Sequence, residues 1–294
     1  MPNTPDPAAA KADAAPALPI LAPCRRLSLA APWRWLRLAG RDFCAAPALS
    51  LLWGCIITAI CLSVSALAWW MGRFALLAVL VSGFVFVAPL LGVGLYAVSR
   101  SLQKDETPSF GQSTLAIGQL MGQAGVFALC QGVLVLVWAR AGMMALAFFP
   151  ASDAEQHVFF EALRHYQLLT EGNGSQTLWF LLLGSAFGAV FALICFAMTA
   201  FSLPMLAAKK VDMVTAFLTS VNACLRNPLV TLQWAVIIVV LLSLGLATGF
   251  LAHIVIMPIL GYAAWHGWCE AIDASAWPDL ALRQPDLSGG FVRG

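Results

Sequence analysis

The stretch LSLLWGCIITAICLSVSALAWWMGRFALLAVLVSGFVFVAPLLGVGLYAV, residues 49–98, decides the fold. Its two halves, 49–71 and 74–98, carry no charged residue, and only Gly72-Arg73 parts them. A helix needs about 20 apolar residues to cross the roughly 30 Å hydrocarbon core of a bilayer. Each half meets that length, and a two-residue break allows only a tight turn. The pair therefore reads as a helical hairpin in a membrane. Lipid offers no partners to backbone N–H and C=O groups, so open spanning segments close their hydrogen bonds internally as helices.

Working outward, a third apolar region runs from about residue 116 to 149 with Arg140 inside it, and a fourth covers 178–206. Residues 229–271 are long enough for two short spans that turn near 249–253. The expected fold class is all-α, a polytopic transmembrane helical bundle of six spans. Composition agrees: 61% of residues are hydrophobic and 10% charged, against about 25% charged in soluble domains. Lipid is the solvent for this surface. The net charge of +2 gives no reason to expect nucleic acid. None of the eight cysteines forms a C-x-x-C pair or falls in the long loop at 150–177, which argues against a disulfide framework or zinc ribbon. Residues 1–31 are rich in Pro and Ala without an apolar core segment, so they read as a disordered tail rather than a signal peptide. The membrane domain is expected over 32–272, and a flexible C-terminal tail over 273–294.

The cations orient the bundle. With six spans, thirteen of the sixteen Lys and Arg fall on one side: Lys11, Arg25, Arg26, Arg34, Arg37, Arg41, Arg100, Lys104, Lys209, Lys210, Arg226, Arg283 and Arg293. Arg73 and Arg164 fall on the other, with Arg140 in or near the third span. Positive residues stay inside, so both termini are expected in the cytoplasm. The loop at 150–177 is acidic (Asp153, Glu155, Glu161 and Glu171), as suits an outer loop. Trp69, Trp70, Trp138 and Trp179 then lie near the outer interface, and Trp33, Trp35, Trp53, Trp265 and Trp268 toward the inner one.

Before the first span, Pro32-Trp-Arg-Trp-Leu-Arg-Leu-Ala-Gly-Arg-Asp-Phe43 spaces Arg34, Arg37 and Arg41 at helical intervals. With Trp33 and Trp35 these form an expected membrane-surface anchor, an amphipathic lead-in helix lying among inner headgroups. A similar lead-in, 211–226, precedes the fifth span. The two belong to an internal pattern. Pro47-Ala-Leu-Ser-Leu-Leu-Trp53 resembles Pro228-Leu-Val-Thr-Leu-Gln-Trp234, and Pro89-Leu-Leu-Gly92 resembles Pro258-Ile-Leu-Gly261, with Tyr96 and Trp265 following. A duplicated hairpin is the expectation, with a shorter second copy.

Gly40-Arg41-Asp42, Pro89-Leu-Leu-Gly-Val-Gly-Leu-Tyr96, Pro204-Met-Leu206 followed by Val211-Asp212, Asn227-Pro228, and Pro258-Ile-Leu-Gly-Tyr-Ala-Ala-Trp-His266 carry a resemblance. Over roughly 32–272 the chain resembles the bacterial integral membrane proteins grouped as domain of unknown function 2189. The resemblance implies a multi-pass protein of the bacterial inner membrane and no particular chemistry. It also implies a His where this chain has Tyr262.

Candidate sites are few. Ser152-Asp-Ala-Glu155 has the form of a capping box and opens an expected outer helix over about 152–170. There His157, Glu161 and His165 recur every fourth residue on one face, a donor set for a divalent metal that competes with an ordinary solvated face. Arg140 is a site for anions or substrate if it is buried, and an interfacial anchor if it snorkels. Gln131 and Gln233 are the main strongly polar uncharged groups of the spans and suit helix bridging. Pro89, Pro204 and Pro258 would mark broken helices along a solute pathway, and His266 ends the last span. Gly118-x-x-x-Gly122, Gly184-x-x-x-Gly188 and Gly245-x-x-x-Gly249 are candidates for close helix packing. Apart from Glu270 at the very end of the last one, no expected span holds an Asp or Glu, and no nucleotide loop or nucleophile elbow occurs. The chain therefore reads as a non-enzymatic scaffold or accessory protein without cofactor, with membrane lipids and a homo-oligomer or another membrane protein as partners. The alternative is a small-molecule channel or uncoupled transporter.

Overall fold

A computed structural model of the chain describes residues 19–70, 92–120 and 174–280, together with helical residues 129, 130, 132–134, 136, 137 and 140. The described residues are helical, with two isolated β-bridges, Cys24 to Ile272 and Lys209 to Asp279. The helices are α1 (Ala31–Ala45), α2 (Pro47–Trp70), α3 (92–103), α4 (110–120), α5 (Gly174–Thr199), α6 (Ser202–Ala208), α7 (Met213–Arg226), α8 (Pro228–Ala247) and α9 (His253–Ala271). Among the described residues, three stretches are long and apolar enough to cross a membrane: Pro47–Leu67, Ala189–Ala208 and Pro228–Ala247.

Proline sets two of the corners. A helix usually ends one residue before a Pro, because the ring crowds the preceding backbone out of the α region. Ala46, before Pro47, sits at φ −132° and ψ 60°, and Asn227, before Pro228, at φ −132° and ψ 55°. The carbonyl of each then accepts from the fourth residue on, Ser50 N at 3.0 Å and Thr231 N at 2.9 Å. The same kink thus converts a lead-in helix into a membrane-length one at both places. Trp53 and Trp234, six residues after their prolines, are both buried.

The turn expected near 249–253 is present. Gly249 and Phe250 both take positive φ, 61° and 69°, and Phe250 N donates back to Gly245 O at 2.9 Å, closing the end of α8. The chain returns as α9, whose main neighbours are α1 and α2. α9 is enclosed: Pro258, Tyr262, Ala263, Trp265, His266, Gly267, Trp268 and Ala271 are all buried. By contrast α8 exposes Leu229, Leu232, Val236, Val239 and Val240, the outward apolar stripe of a helix solvated by lipid.

Pro258 does not break its helix. It cannot donate to the carbonyl of Ile254, four residues back, yet α9 continues through it. Gly54 of α2 lies against that freed carbonyl, since a Cβ at Gly54 would fall 1.9 Å from Ile254 O. Only a residue without a Cβ lets the two backbones approach so closely at this point. Close packing also occurs at Gly94 against the Trp53 ring, at Gly261 against Leu95 and at Gly267 against Trp35. Of the small-residue motifs named from sequence, the packing at Gly122, Gly184 and Gly188 lies outside what is described. Gly118 and Gly249 have no described neighbour within 4 Å of a built Cβ, and Gly245 makes room for its own chain's His253.

Both expected tails are in part laid down. Ala22 N donates to Thr219 Oγ1 (3.2 Å), Arg25 N to Ala271 O (2.8 Å) and Asp273 N to Pro23 O (2.8 Å). Asn227 holds the same strap twice, accepting from Leu27 N (2.8 Å) and donating to Arg25 O (3.0 Å). Beyond α9, Lys210 N donates to Pro278 O (2.9 Å), Leu280 N to Ala208 O (2.8 Å), and Trp277 is buried. The boundaries of the expected tails shift by these residues because their backbone groups find protein partners.

Candidate functional site

α1 turns Ala31, Trp35, Ala39 and, one turn on, Asp42 toward the bundle. Trp35 is fully buried, edge-on to Phe201 (6.3 Å between ring centroids) and Trp234 (5.6 Å). Its Nε1 donates to Glu270 Oε2 at 2.9 Å, and the other oxygen of Glu270 pairs with Arg34. Trp35 is therefore a core residue of the bundle and not part of the surface anchor. The outer row of α1 keeps Trp33, Arg37 and Arg41 exposed. Trp33 is tied through Gln233: with the amide oriented to satisfy both partners, its oxygen accepts from Trp33 Nε1 (3.0 Å) and its nitrogen donates to Leu29 O (2.9 Å). Gln233 thus bridges elements, as expected.

Asp42 ends the inward row at the junction of three helices. Its Oδ2 accepts from Ser99 Oγ of α3 at 2.6 Å and lies 2.8 Å from Nε2 of His266 on α9. The Asp42 side chain is 14% exposed and that of His266 7%, so the contact is largely desolvated. A carboxylate with two donors in such surroundings is held far more firmly than one in water. Ser50 and Tyr262 hydroxyls meet at 2.8 Å one turn away, joining α2 to α9. Tyr262, at the position where the resemblance implied a His, is fully buried in this contact. Gln103 Oε1 accepts from Trp265 Nε1 at 3.0 Å. Serine, aspartate and histidine here do not form a nucleophile relay. The hydroxyl donates to the carboxylate instead of to the imidazole, whereas a serine nucleophile needs the base next to it. What the arrangement does is fasten α1, α2, α3 and α9 at one end of the bundle.

A second set of contacts fastens α6 and the C-terminal segment. Arg100 donates to Ala207 O (3.3 Å) and Leu280 O (2.8 Å), while Lys209 Nζ lies 2.8 Å from Asp279 and 3.1 Å from Trp277 O. The Lys209 contact holds the Asp279 carboxyl below its ordinary range, chiefly through its hydrogen bond.

Of the other residues singled out from sequence, Arg140 is helical and exposed. Pro204 lies in α6, whose seven residues are all buried. Pro258 is buried and His266 belongs to the Asp42 cluster. Gln131, Pro89, His157, Glu161 and His165 lie outside the described residues. Sequence reading missed Asp42, Ser99, Gln103, Glu270 and Asn227. Asp42 was readable in principle, because it continues the row Ala31, Trp35, Ala39 at helical spacing. Ser99 and Gln103 carry no such signal, since nothing local says which face of α3 meets α1.

Comparison with curated proteins and with solved structures gave no match. The family comparison matches residues 76–208, which include Pro89-Leu-Leu-Gly-Val-Gly-Leu-Tyr96 and Pro204-Met-Leu206 but not Asp42 or His266. Over that stretch, somewhat less than half of its length, the chain is similar to the family described as predicted integral membrane protein, domain of unknown function 2189.

Proposed function

We propose that the chain is a six-span protein of a bacterial inner membrane, with both termini cytoplasmic, acting as a non-enzymatic scaffold or accessory protein through lipid and helix contacts. The observation that carries this reading is the closure around Pro204 and Pro258. A solute pathway through broken helices needs polar backbone facing water. Here the carbonyl freed by Pro258 faces Gly54, and Pro204 sits in a wholly buried turn. The polar contacts of the basic end join helix to helix and leave Asp42 and Glu270 committed to partners.

The matching kinks at Ala46 and Asn227 support duplication of a lead-in helix and hairpin. The Lys and Arg distribution supports the orientation.

Water access at Pro258 separates this reading from a channel or uncoupled transporter. In a chain whose native cysteines are replaced, Ala263→Cys lies one turn past Pro258 at a buried position. It should resist a membrane-impermeant thiosulfonate from either side; labelling would sink the scaffold reading. Asp105→Cys should label from the cytoplasmic side alone, and outer-side labelling would overturn the orientation. Elemental analysis of the purified protein tests the His157, Glu161 and His165 face directly.

A further inference from the structure

We infer that Arg26 and Arg226 form a headgroup site for an anionic phospholipid, with its acyl chain lying along the exposed stripe that begins at Leu229. The inference rests on the membrane reading above and gives its lipid contact a location and a charge class.

Several of the cations at this end are already engaged. Arg25 pairs with Asp273, Arg34 with Glu270 and Lys209 with Asp279. Arg100 is spent on backbone carbonyls. Arg26 and Arg226 are exposed, and among the described residues neither is joined to a carboxylate. The fold brings their backbones together. Asn227 grips the carbonyl of Arg25 and the N–H of Leu27, so the residue between them is held beside the residue that precedes Asn227. The two guanidinium groups thus arise from neighbouring backbone positions, with no ion pair to a carboxylate among the described residues.

Directly below, α8 begins at Pro228 and has the length and composition of a membrane span. Leu229 is 67% exposed, Leu232 50% and Val236 53%, so one apolar face descends from the paired guanidinium groups. Trp33, exposed and tied to Gln233 of the same helix, supplies an amphipathic ring at the level where headgroup and acyl chain meet. Guanidinium forks suit phosphate oxygens. A free phosphate would use the cations but leave the stripe idle; a neutral lipid would use the stripe and leave the cations uncompensated. An anionic phospholipid uses both.

The test uses the full chain in phosphatidylcholine nanodiscs containing a minor fraction of phosphatidylglycerol. Lipids retained after release are counted by native mass spectrometry. The wild type should retain phosphatidylglycerol in preference to phosphatidylcholine. Each Arg near an anionic headgroup contributes about a fivefold preference, so the double variant Arg26→Gln, Arg226→Gln should lose roughly 25-fold. The double variant Lys104→Gln, Lys210→Gln removes the same charge from two other exposed positions at this end and should retain the preference. Equal loss in both variants would mean diffuse surface charge and would overturn the site. So would equal retention of both lipids by the wild type. Unfolding midpoints of both variants close to the wild type exclude misfolding as the cause. Failure here would leave the scaffold reading standing, because that reading depends on the closed packing at Pro258 and is tested by labelling at residue 263.

Discussion

Replacing Gly54 by Ala tests the central contact of the bundle. The added methyl would fall 1.9 Å from Ile254 O, 2.7 Å from Ile254 C and 3.0 Å from its Cα. Ordinary contact begins near 3.4 Å, so α2 and α9 would have to separate by about 1.5 Å. The obstacle is backbone, which no rotamer change removes. Separation would also loosen Trp53 on Gly94 and Leu95 on Gly261. Overpacking of this sort costs about 1–3 kcal/mol, and loss of a shielded contact for the carbonyl freed by Pro258 adds to it. Ala is the better helix former by at most ~1 kcal/mol. The expected net effect is a loss of about 2 kcal/mol, roughly a 30-fold fall in the folded-to-unfolded ratio. Tryptophan fluorescence during unfolding in mixed detergent micelles measures it. Gly118→Ala, with no described neighbour within 4 Å, should be neutral or slightly stabilising in the same assay. A Gly54→Ala protein within about 0.5 kcal/mol of the wild type would refute the proposed contact. If Gly54 covers the carbonyl that Pro258 leaves free, a double-mutant cycle of Gly54→Ala with Pro258→Ala should also show non-additivity above that value.

Other outcomes follow from the same geometry. Trp35→Ala should cost about 3–5 kcal/mol, as for a large buried ring, whereas Trp33→Ala should cost under about 1 kcal/mol; equal effects in thermal unfolding would contradict the assignment of one to the core. Asp42→Ala strands the Ser99 hydroxyl and the His266 ring nitrogen and should destabilise by about 2–4 kcal/mol. Asp42→Asn keeps an acceptor for Ser99 and should cost less. The C-terminal clasp should be pH-sensitive. The Lys209 hydrogen bond lowers the Asp279 carboxyl, and Ser275 followed by Arg25 lowers that of Asp273. A depressed folded value means the contribution is complete above the ordinary aspartate value of 3.8 and is lost as pH falls below it. A spin label at residue 276 should hold its mobility down to about pH 3.8 and gain mobility as the pH falls below that; unchanged mobility on further acidification would place no weight on those contacts.

Several features needed no tertiary information. Residues 49–70 and 228–247 are membrane-length helices because uninterrupted apolar sequence in lipid has no alternative to internal hydrogen bonding. The prolines at 47 and 228 stop the helices before them for steric reasons local to the chain. The turn at 248–252 follows from Gly249 beside a run of good helix formers. The amphipathic character of 31–45 was also visible, but its rotation was not. Charge spacing drew the eye to Arg34, Arg37 and Arg41, and it concealed that Trp35 and Asp42 face inward.

That rotation depends on what the opposite helix offers. Gly267 leaves room for the Trp35 ring, Glu270 takes its N–H, and His266 meets Asp42, over 220 residues away in the chain. In the same way Pro258 in isolation reads as a break. Only the approach of Gly54 turns it into a contact, because whether a freed carbonyl faces water or a neighbouring helix is decided by packing. The sequence by itself therefore determined the solvent, the helices and their ends, which follow from hydropathy and backbone sterics. Which faces meet, and so which polar residues are fastened inside and which cations are left for lipid, was decided by the tertiary structure, since side-chain pairing across distant segments leaves no local trace.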